Sequence, residues 1–175
     1  MAPATYQGSS RGLKARQPRT FSQSSESNLA TGDTTVEKLL ASKGYGAVAV
    51  RPQDTIADAV RVLKEKRIGA VVVTDAAGGL KGILSERDIV RKLADTPGQT
   101  LPQLVEENMT REVVTCAPHD LLVTVLQRMV DGRFRHMPVM EDGRLAGMIT
   151  IGDVVHYRLN ELEHQALQMK QMIVG

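Results

Sequence analysis

Apolar residues recur along this chain with a helical spacing, and the pattern occurs twice. In each set they fall at i, i+3, i+4 and i+7, which is typical of the buried face of an amphipathic helix. The two sets lie 66 residues apart and comprise Ile56, Ala59, Val60 and Leu63, then Leu122, Val125, Leu126 and Met129. The pattern predicts one such helix in each of two tandem repeats. Asp54 and Asp120 precede these helices, and we expect their carboxylates to be the N-caps.

Short apolar runs flank each helix and predict β-strands. One run precedes the helix, at residues 46–50 and 112–116, and one follows it, at residues 70–74 and 136–140. After a turn rich in Gly and Asp, Gly82–Asp88 aligns with Gly147–Asp153 as strand, turn and helix start. Each copy is therefore expected to fold as β-α-β-β-α.

The predicted fold class is α/β (α+β), with two tandem β-α-β-β-α repeats and a C-terminal helix. One copy has too few residues to bury its own sheet well, so the copies should pack on each other. The expected divisions are an N-terminal arm at 1–33, repeat 1 at 34–95, a linker at 96–104, repeat 2 at 105–160 and a helical extension at 161–175.

The C-terminal segment carries an apolar seam with alternating spacings of 4 and 3 residues. Its members are Val155, Leu159, Leu162, Ala166, Met169 and Ile173. A seam of this kind packs either against its own domain or against another subunit, and the pattern does not choose between them.

Composition excludes several classes of protein. The chain has three Tyr, two Phe and no Trp, so its core is aliphatic and it lacks the rings of a base-stacking nucleic-acid platform. The net charge of +2 demands no polyanionic partner. Cys116 is the one cysteine, which excludes an intrachain disulfide and favours a reduced compartment. No apolar run is long enough to span a bilayer. We expect a cytoplasmic protein without a membrane partner or a metal ion.

Residues 1–33 differ from the rest of the chain. They are rich in Ser, Thr, Gly and Gln, and four basic residues precede the first acid, Glu26. We interpret them as a disordered or loosely docked arm. An Arg- and Ser-rich, acid-poor start also fits an organelle transit peptide, although the amphipathic helix of such peptides is poorly formed here.

A motif of the form Gly-apolar-apolar-Ser/Thr-x-x-Asp follows a strand in both copies. It contains Ser85 and Asp88 in the first copy and Thr150 and Asp153 in the second. The same pattern is a capping box, which merely starts a helix. However, a strand-to-helix turn also presents free N–H groups and the helix dipole to a phosphate, and an Asp accepts hydrogen bonds from two ribose hydroxyls.

This repeated motif resembles a tandem CBS-domain pair, or Bateman module, over residues 35–160. The similarity is carried by Ser85-Glu86-Arg87-Asp88, by Arg135-His136-Met137-Pro138-Val139 and by Ile149-Thr150-Ile151-Gly152-Asp153. The resemblance implies that a pseudo-twofold axis relates the repeats and leaves two clefts between their sheets.

The resemblance also implies a set of ligand-binding residues for each cleft. One cleft would use Thr150, Asp153, Lys43, Val48, Ile68 and Ala70. The other would use Ser85, Asp88, Val114, Arg135 and His136. Arg87, with Arg135 and His136, is the expected phosphate contact. The Thr150/Asp153 cleft is the first choice, because Gly152 leaves the backbone open to phosphate.

The function implied is that of a non-catalytic regulatory or energy-sensing module which binds an adenosine-containing nucleotide and transmits its occupancy to a regulated protein. AMP is the expected ligand, with ATP, ADP, NAD(H) and S-adenosylmethionine as alternatives. A homodimer is also implied. The rival functions are a ligand-free scaffold and a nucleic-acid-binding module that uses the basic arm.

Overall fold

The computed structural model describes residues 34–174, so the predictions for residues 1–33 lie outside the described residues. The first half contains α1 (Val36–Lys43), β1 (Ala49–Val50), α2 (Ile56–Lys66), β2 (Ala70–Thr74), β3 (Leu80–Ser85) and α3 (Glu86–Asp95). The second half contains α4 (Val105–Asn108), α5 (Leu122–Gly132), β4 (His136–Glu141), β5 (Arg144–Thr150) and α6 (Ile151–Val174). A short helix therefore precedes the predicted β-α-β-β-α order in the first half, whereas in the second half it precedes α-β-β-α, without the predicted first strand.

The two amphipathic helices bury the faces that their sequences predict. The fully or almost fully buried residues are Ile56, Ala59 and Leu63 in α2, and Leu122, Val125 and Met129 in α5. Val60 and Leu126 pack at the edges of the same cores. The spacing of the apolar residues was sufficient to predict these buried faces, because the 3.6-residue period of a helix brings those side chains to one side.

The prediction that Asp54 and Asp120 cap these helices is wrong. The N-cap of α2 is Thr55, whose hydroxyl accepts a hydrogen bond from the Asp58 amide at 3.2 Å. The Asp54 carboxylate instead accepts from the Arg51 amide at 2.7 Å, and that of Asp120 from the Ala117 amide at 3.2 Å. Both carboxylates thus close the turn ahead of the helix. No side chain caps α5.

The strands form two small sheets. In the first, β2 lies between β1, which is parallel to it, and β3, which is antiparallel. In the second, β4 and β5 pair antiparallel. The predicted strand at 46–50 shortens to Ala49–Val50, and that at 112–116 reduces to one bridge between Cys116 and Val139.

Pro138 explains the lost strand. In the first half the Val72 amide donates to the Val48 carbonyl, which extends the parallel pairing beyond β1. The residue that corresponds to Val72, 66 positions later, is Pro138, which has no N–H to donate. Pairing in the second half is therefore limited to the bonds between Cys116 and its neighbours on β4, Pro138 and Met140.

The hydrophobic residues form two cores, and the short helices are exchanged between them. Val36, Leu39 and Leu40 of α1 pack with α5, β4 and β5, in the core of the second repeat. Val105 of α4, with Met109 just after it, packs with α2, β2 and β3, in the core of the first repeat. By its position in the chain, α1 belongs to the first repeat and α4 to the second. By packing, α1 joins the second repeat and α4 joins the first. The exchange interlocks the two halves.

Two glycines allow this exchange at close quarters. A Cβ atom at Gly82 would lie 2.5 Å from the Met109 sulfur and 2.9 Å from the Thr110 carbonyl oxygen. A Cβ atom at Gly147 would lie 3.1 Å from a methyl group of Leu40. Each β-strand glycine therefore leaves room for the segment that arrives from the other half.

Helix α6 runs without a break from Ile151 to Val174, so the second repeat and its extension share one helix. Five seam residues are exposed, from 44% at Val155 to 84% at Ile173, with Leu159, Leu162 and Met169 between these values. Packing against the chain's own domain therefore does not cover these positions. Among residues 34–174, no helix has the length and apolar character needed to cross a membrane.

Candidate functional site

A cavity of about 490 Å³ lies between the start of α3 and the segment that leads into β4. The structure brings six of the sequence-predicted binding residues together around it: Ser85, Arg87, Asp88, Val114, Arg135 and His136. Its lining includes neither Thr150, Asp153 nor Lys43, all of which belong to the described part of the chain. Those three residues were assigned to the other cleft, so this cavity corresponds to the predicted Ser85/Asp88 cleft.

The turn from β3 into α3 holds its polar groups in a capping box. The Ser85 hydroxyl donates to a carboxylate oxygen of Asp88 at 2.6 Å, and the Ser85 amide donates to the same oxygen at 3.0 Å. In return, the Asp88 amide donates to the Ser85 hydroxyl oxygen at 3.3 Å. The motif thus starts a helix, as one interpretation of the sequence held, and it also faces an open cavity with a hydroxyl and a carboxylate.

The cavity wall carries an unusual concentration of arginine. Four line it, Arg87, Arg91, Arg133 and Arg135, together with the acids Glu86, Asp88 and Glu112. One Arg87 nitrogen donates to the Arg133 carbonyl at 3.0 Å, which links α3 to the end of α5. Guanidinium groups bind phosphate oxygens in pairs, so this wall suits an anionic ligand.

Sequence reasoning missed several lining residues. Arg91 follows Arg87 by four positions on α3, and that spacing alone would have placed both on one helix face. Arg133 reaches the cavity because it ends α5 with a left-handed φ of 56°. Other missed residues are Thr110, Glu112, Val113 and Phe134, for which the sequence carries no signal that we recognise.

His136 lies at the boundary of the two repeats. A Cβ atom at Gly69 would be 3.3 Å from its imidazole ring, so the ring packs directly on the backbone of the first half. Burial lowers the pKa of His136, and although Asp153 and Glu86 act in the opposite direction, the net pKa is below the ordinary value of 6.5. The imidazole is therefore neutral at neutral pH and offers one donor and one acceptor.

The second strand-to-helix turn is engaged in an ion pair. One carboxylate oxygen of Asp153 accepts hydrogen bonds from the Thr150 amide at 2.8 Å and from the Lys43 ammonium at 2.5 Å. The Asp153 amide donates to the Thr150 hydroxyl oxygen at 3.0 Å. Burial raises the Asp153 pKa, but the hydrogen bonds from Lys43 and Thr150 outweigh it, so the net pKa lies below the ordinary value.

The apolar residues assigned to this second cleft lie largely in the core. Val48 and Ile68 are partly buried against the first hydrophobic core. Ala70 has no exposed surface, because β2 is buried along its whole length. Contact between Ala70 and a ligand stays a prediction.

Two features of the described residues bear on reactive chemistry: the buried cysteine and the placement of side chains that can bind a metal ion. Burial raises the pKa of the Cys116 thiol to about 12, which keeps it protonated and unreactive at neutral pH. Within residues 34–174, no group of three His, Cys, Asp or Glu side chains is arranged to hold a metal ion. The polar groups around the cavity are suited to binding.

Comparison with known proteins agrees with the repeat. The profile of the CBS domain family matches residues 43–95 and 104–160. The crystal structure of a CBS-domain-containing protein from Agrobacterium tumefaciens aligns with a TM-score of 0.70 and 46% identity, over 71% of this chain and 99% of that one. The CBS domain-containing protein CBSX3, mitochondrial, of Arabidopsis thaliana is 31% identical over an alignment of 176 positions, which covers 92% of this chain and 85% of CBSX3.

A third similar protein was crystallised with ligands. The CBS domain pair of protein MJ0100, in complex with 5′-methylthioadenosine and S-adenosyl-L-methionine, aligns with a TM-score of 0.65 and 26% identity, over 73% of this chain and 98% of that one. Other curated relatives are much longer, and this chain spans about a quarter of their length.

Proposed function

Because this chain belongs to the CBS domain family, we propose that it is a non-catalytic regulatory module which binds a phosphorylated adenosine ligand between its repeats. Occupancy would then be transmitted to a regulated protein. The family assignment supports the class of module, and the MJ0100 pair supports adenosine as the recognised group, since that pair was crystallised with two adenosine compounds. The cavity at Ser85 and Asp88 is the proposed site.

The proposed site has the dimensions and polar groups for this task. Its volume of about 490 Å³ lies within the range of small-molecule pockets. We assign the Asp88 carboxylate to the ribose hydroxyls, the Ser85 hydroxyl to ribose or phosphate, and Val114 to apolar contact with the adenine. The sequence favoured the Thr150/Asp153 cleft because of Gly152. We now prefer the Ser85/Asp88 cleft, because Asp153 is paired with Lys43 whereas Asp88 faces an open cavity.

The observation that carries the choice of ligand is the arginine wall. Four arginines and three acids line the cavity, so a ligand phosphate gains charge-assisted hydrogen bonds there. S-adenosylmethionine bears a sulfonium cation and 5′-methylthioadenosine bears no charge at that position. We therefore propose AMP, or ADP or ATP, ahead of NAD(H) and ahead of both ligands seen with MJ0100.

A thermal-shift screen tests the proposal. AMP, ADP, ATP, NAD, NADH and S-adenosylmethionine are each added to wild type, to Asp88→Ala and to the control Asp95→Ala, which removes an exposed carboxylate at the other end of the same helix. A ligand present at 100 times its dissociation constant stabilises the native state by about 2.7 kcal/mol. The quantity compared is the ligand-induced rise in melting temperature, since loss of the capping box lowers the ligand-free value by itself.

We expect AMP to stabilise wild type and Asp95→Ala but not Asp88→Ala. If S-adenosylmethionine alone stabilises wild type, the arginine wall does not select the ligand. If no compound acts at millimolar concentration, the ligand-free scaffold is the better function. Steeply salt-dependent nucleic-acid binding that is lost on deleting residues 1–33 would favour the remaining alternative.

We further propose that the chain forms a homodimer through α6. The exposed seam keeps the spacing of a two-stranded coiled coil, and Glu163 and Lys170, of opposite charge, flank it. In sedimentation at micromolar concentration we expect wild type and the control Gln168→Glu to be dimers and Leu162→Glu to be a monomer. A monomeric wild type would contradict this proposal.

For cellular location we propose the cytoplasm, with an organelle as the alternative. The alternative is supported by the composition of residues 1–33 and by the word mitochondrial in the name of CBSX3. A fusion of residues 1–33 to a fluorescent protein distinguishes the two, because a transit peptide is sufficient to redirect its cargo.

A further inference from the structure

The two strand-to-helix turns are alike in sequence but differ in what holds their carboxylates. Asp88 accepts hydrogen bonds from the amide and hydroxyl of Ser85, within its own turn. Asp153 is hydrogen-bonded by both the amide and the side chain of Thr150 in its own turn, and in addition by Lys43, which is 110 residues away in the sequence. The Lys43 ammonium thus bonds the same carboxylate oxygen, Oδ2, as the Thr150 amide, and it stands beside the carboxylate as a competing donor.

Lys43 is held in this position by the packing of its helix. It is the last residue of α1, where a cation is favoured by the helix dipole. Upstream, Val36 and Leu40 are completely buried in the core of the second repeat, and the Glu37 amide donates to the Pro118 carbonyl at 2.8 Å. Because α1 is anchored in this way, the position of the Lys43 ammonium beside Asp153 is fixed by the packing of the helix.

The first repeat has no equivalent cation. The residue 66 positions after Lys43 is Met109, an apolar side chain packed in the core of the first repeat. Its sulfur lies against Gly82, so this position points its side chain into the core beneath β3. The exchange of α1 and α4 is thus symmetric in topology, but only α1 brings a charge to the neighbouring turn.

We propose that Lys43 is a latch that closes the Thr150/Asp153 cleft, so that ligand binds first and more tightly at the Ser85/Asp88 cavity. This proposal rests on the proposed function, since it concerns which of the two clefts takes the ligand. A ligand at the second cleft must displace the ammonium, and its apparent affinity is reduced by the fraction of molecules in which the latch is open. Lys43 then competes with the ligand for Asp153, instead of contacting the ligand as the family resemblance implied.

Isothermal titration with AMP tests the latch. The proteins are wild type, Lys43→Met and the control Lys38→Met, which removes an exposed charge from the same helix, each with and without Asp88→Ala. Wild type and Lys38→Met should bind one AMP per chain at the site with the lower dissociation constant. Asp88→Ala should abolish binding at that site. Lys43→Met should strengthen a second site, which is weak in wild type, and that site should persist in the Asp88→Ala background. The gain in affinity at that site should be roughly fivefold, which corresponds to a partly exposed ion pair.

The outcomes separate the latch from the function on which it rests. Binding to wild type at Asp88 with an unchanged single site in Lys43→Met overturns the latch alone, as do two equal sites in wild type. Binding only after Lys43→Met supports the latch and overturns the assignment of Asp88 as the primary site. Absence of binding to every protein overturns both.

Discussion

The exchange of α1 and α4 makes a sharp prediction about two glycines that occupy the same place in the two repeats. Replacing Gly82 with Ala puts a methyl group 2.5 Å from the Met109 sulfur and 2.9 Å from the Thr110 carbonyl oxygen. The methionine can rotate away, but the carbonyl cannot move freely. Thr110 and Ile83 exchange two backbone hydrogen bonds, at 3.0 and 2.9 Å, which pin the segment after α4 to β3.

The contact distances determine the expected magnitude. Overpacking of this kind costs about 1–3 kcal/mol, and the upper half of that range applies because backbone must shift. Since each kcal/mol lowers the melting temperature by about 2–4 °C in a chain of this size, Gly82→Ala should melt roughly 4–12 °C below wild type. At Gly147 the nearest atom is a Leu40 methyl group at 3.1 Å, which can yield, so Gly147→Ala should cost less than about 1 kcal/mol.

The assay is urea and thermal unfolding followed by circular dichroism, at one protein concentration for all variants. Gly147→Ala is the matched control, because it adds the same methyl group at the same position of the other repeat. If Gly82→Ala is as stable as wild type, or if Gly147→Ala is the less stable of the two, the close packing of the exchanged segments is not as described.

Three further predictions test the fold and the site. Leu40→Ala should lower the free energy of unfolding by about 2–5 kcal/mol, as for a core leucine, and a cost below 1 kcal/mol in urea titration would contradict the burial of α1 in the second core. Thr55→Ala should lower the free energy of unfolding by about 1 kcal/mol, because Thr55 caps α2. Asp54→Ala should lower it by less in the same titration. A larger loss for Asp54→Ala would indicate that Asp54 is the cap. His136 has a lowered pKa, so its contribution to stability should be complete above pH ~6.5 and fall as the pH drops below that value, where the unfolded chain takes up the proton first. Unfolding of wild type and His136→Gln between pH 5 and 8 measures this loss as their difference, and a difference that grows on acidification would contradict it.

Much of the local structure follows from short-range patterns. The buried faces of α2 and α5 follow from residue spacing, because the helical period alone brings those side chains to one side. The Ser85–Asp88 turn was likewise identified from four residues. The loss of the strand predicted at 112–116 was not foreseen, because it depends on Pro138, which lies opposite this segment only in the folded chain. The exchange of α1 and α4 was also missed, since short apolar helices carry no signal of which core they join.

The sequence by itself determined the repeat, the two amphipathic helices and the strand-to-helix turns with their Ser/Thr and Asp residues. Only the tertiary structure showed which of the two turns meets a distant cation. That difference depends on the distance between charges far apart in the chain, and attraction between charges falls off with their separation in space, irrespective of their separation in sequence. Because the packing of α1 carries Lys43 to Asp153 while Met109 is buried in the core beneath β3, two nearly identical motifs acquire different environments.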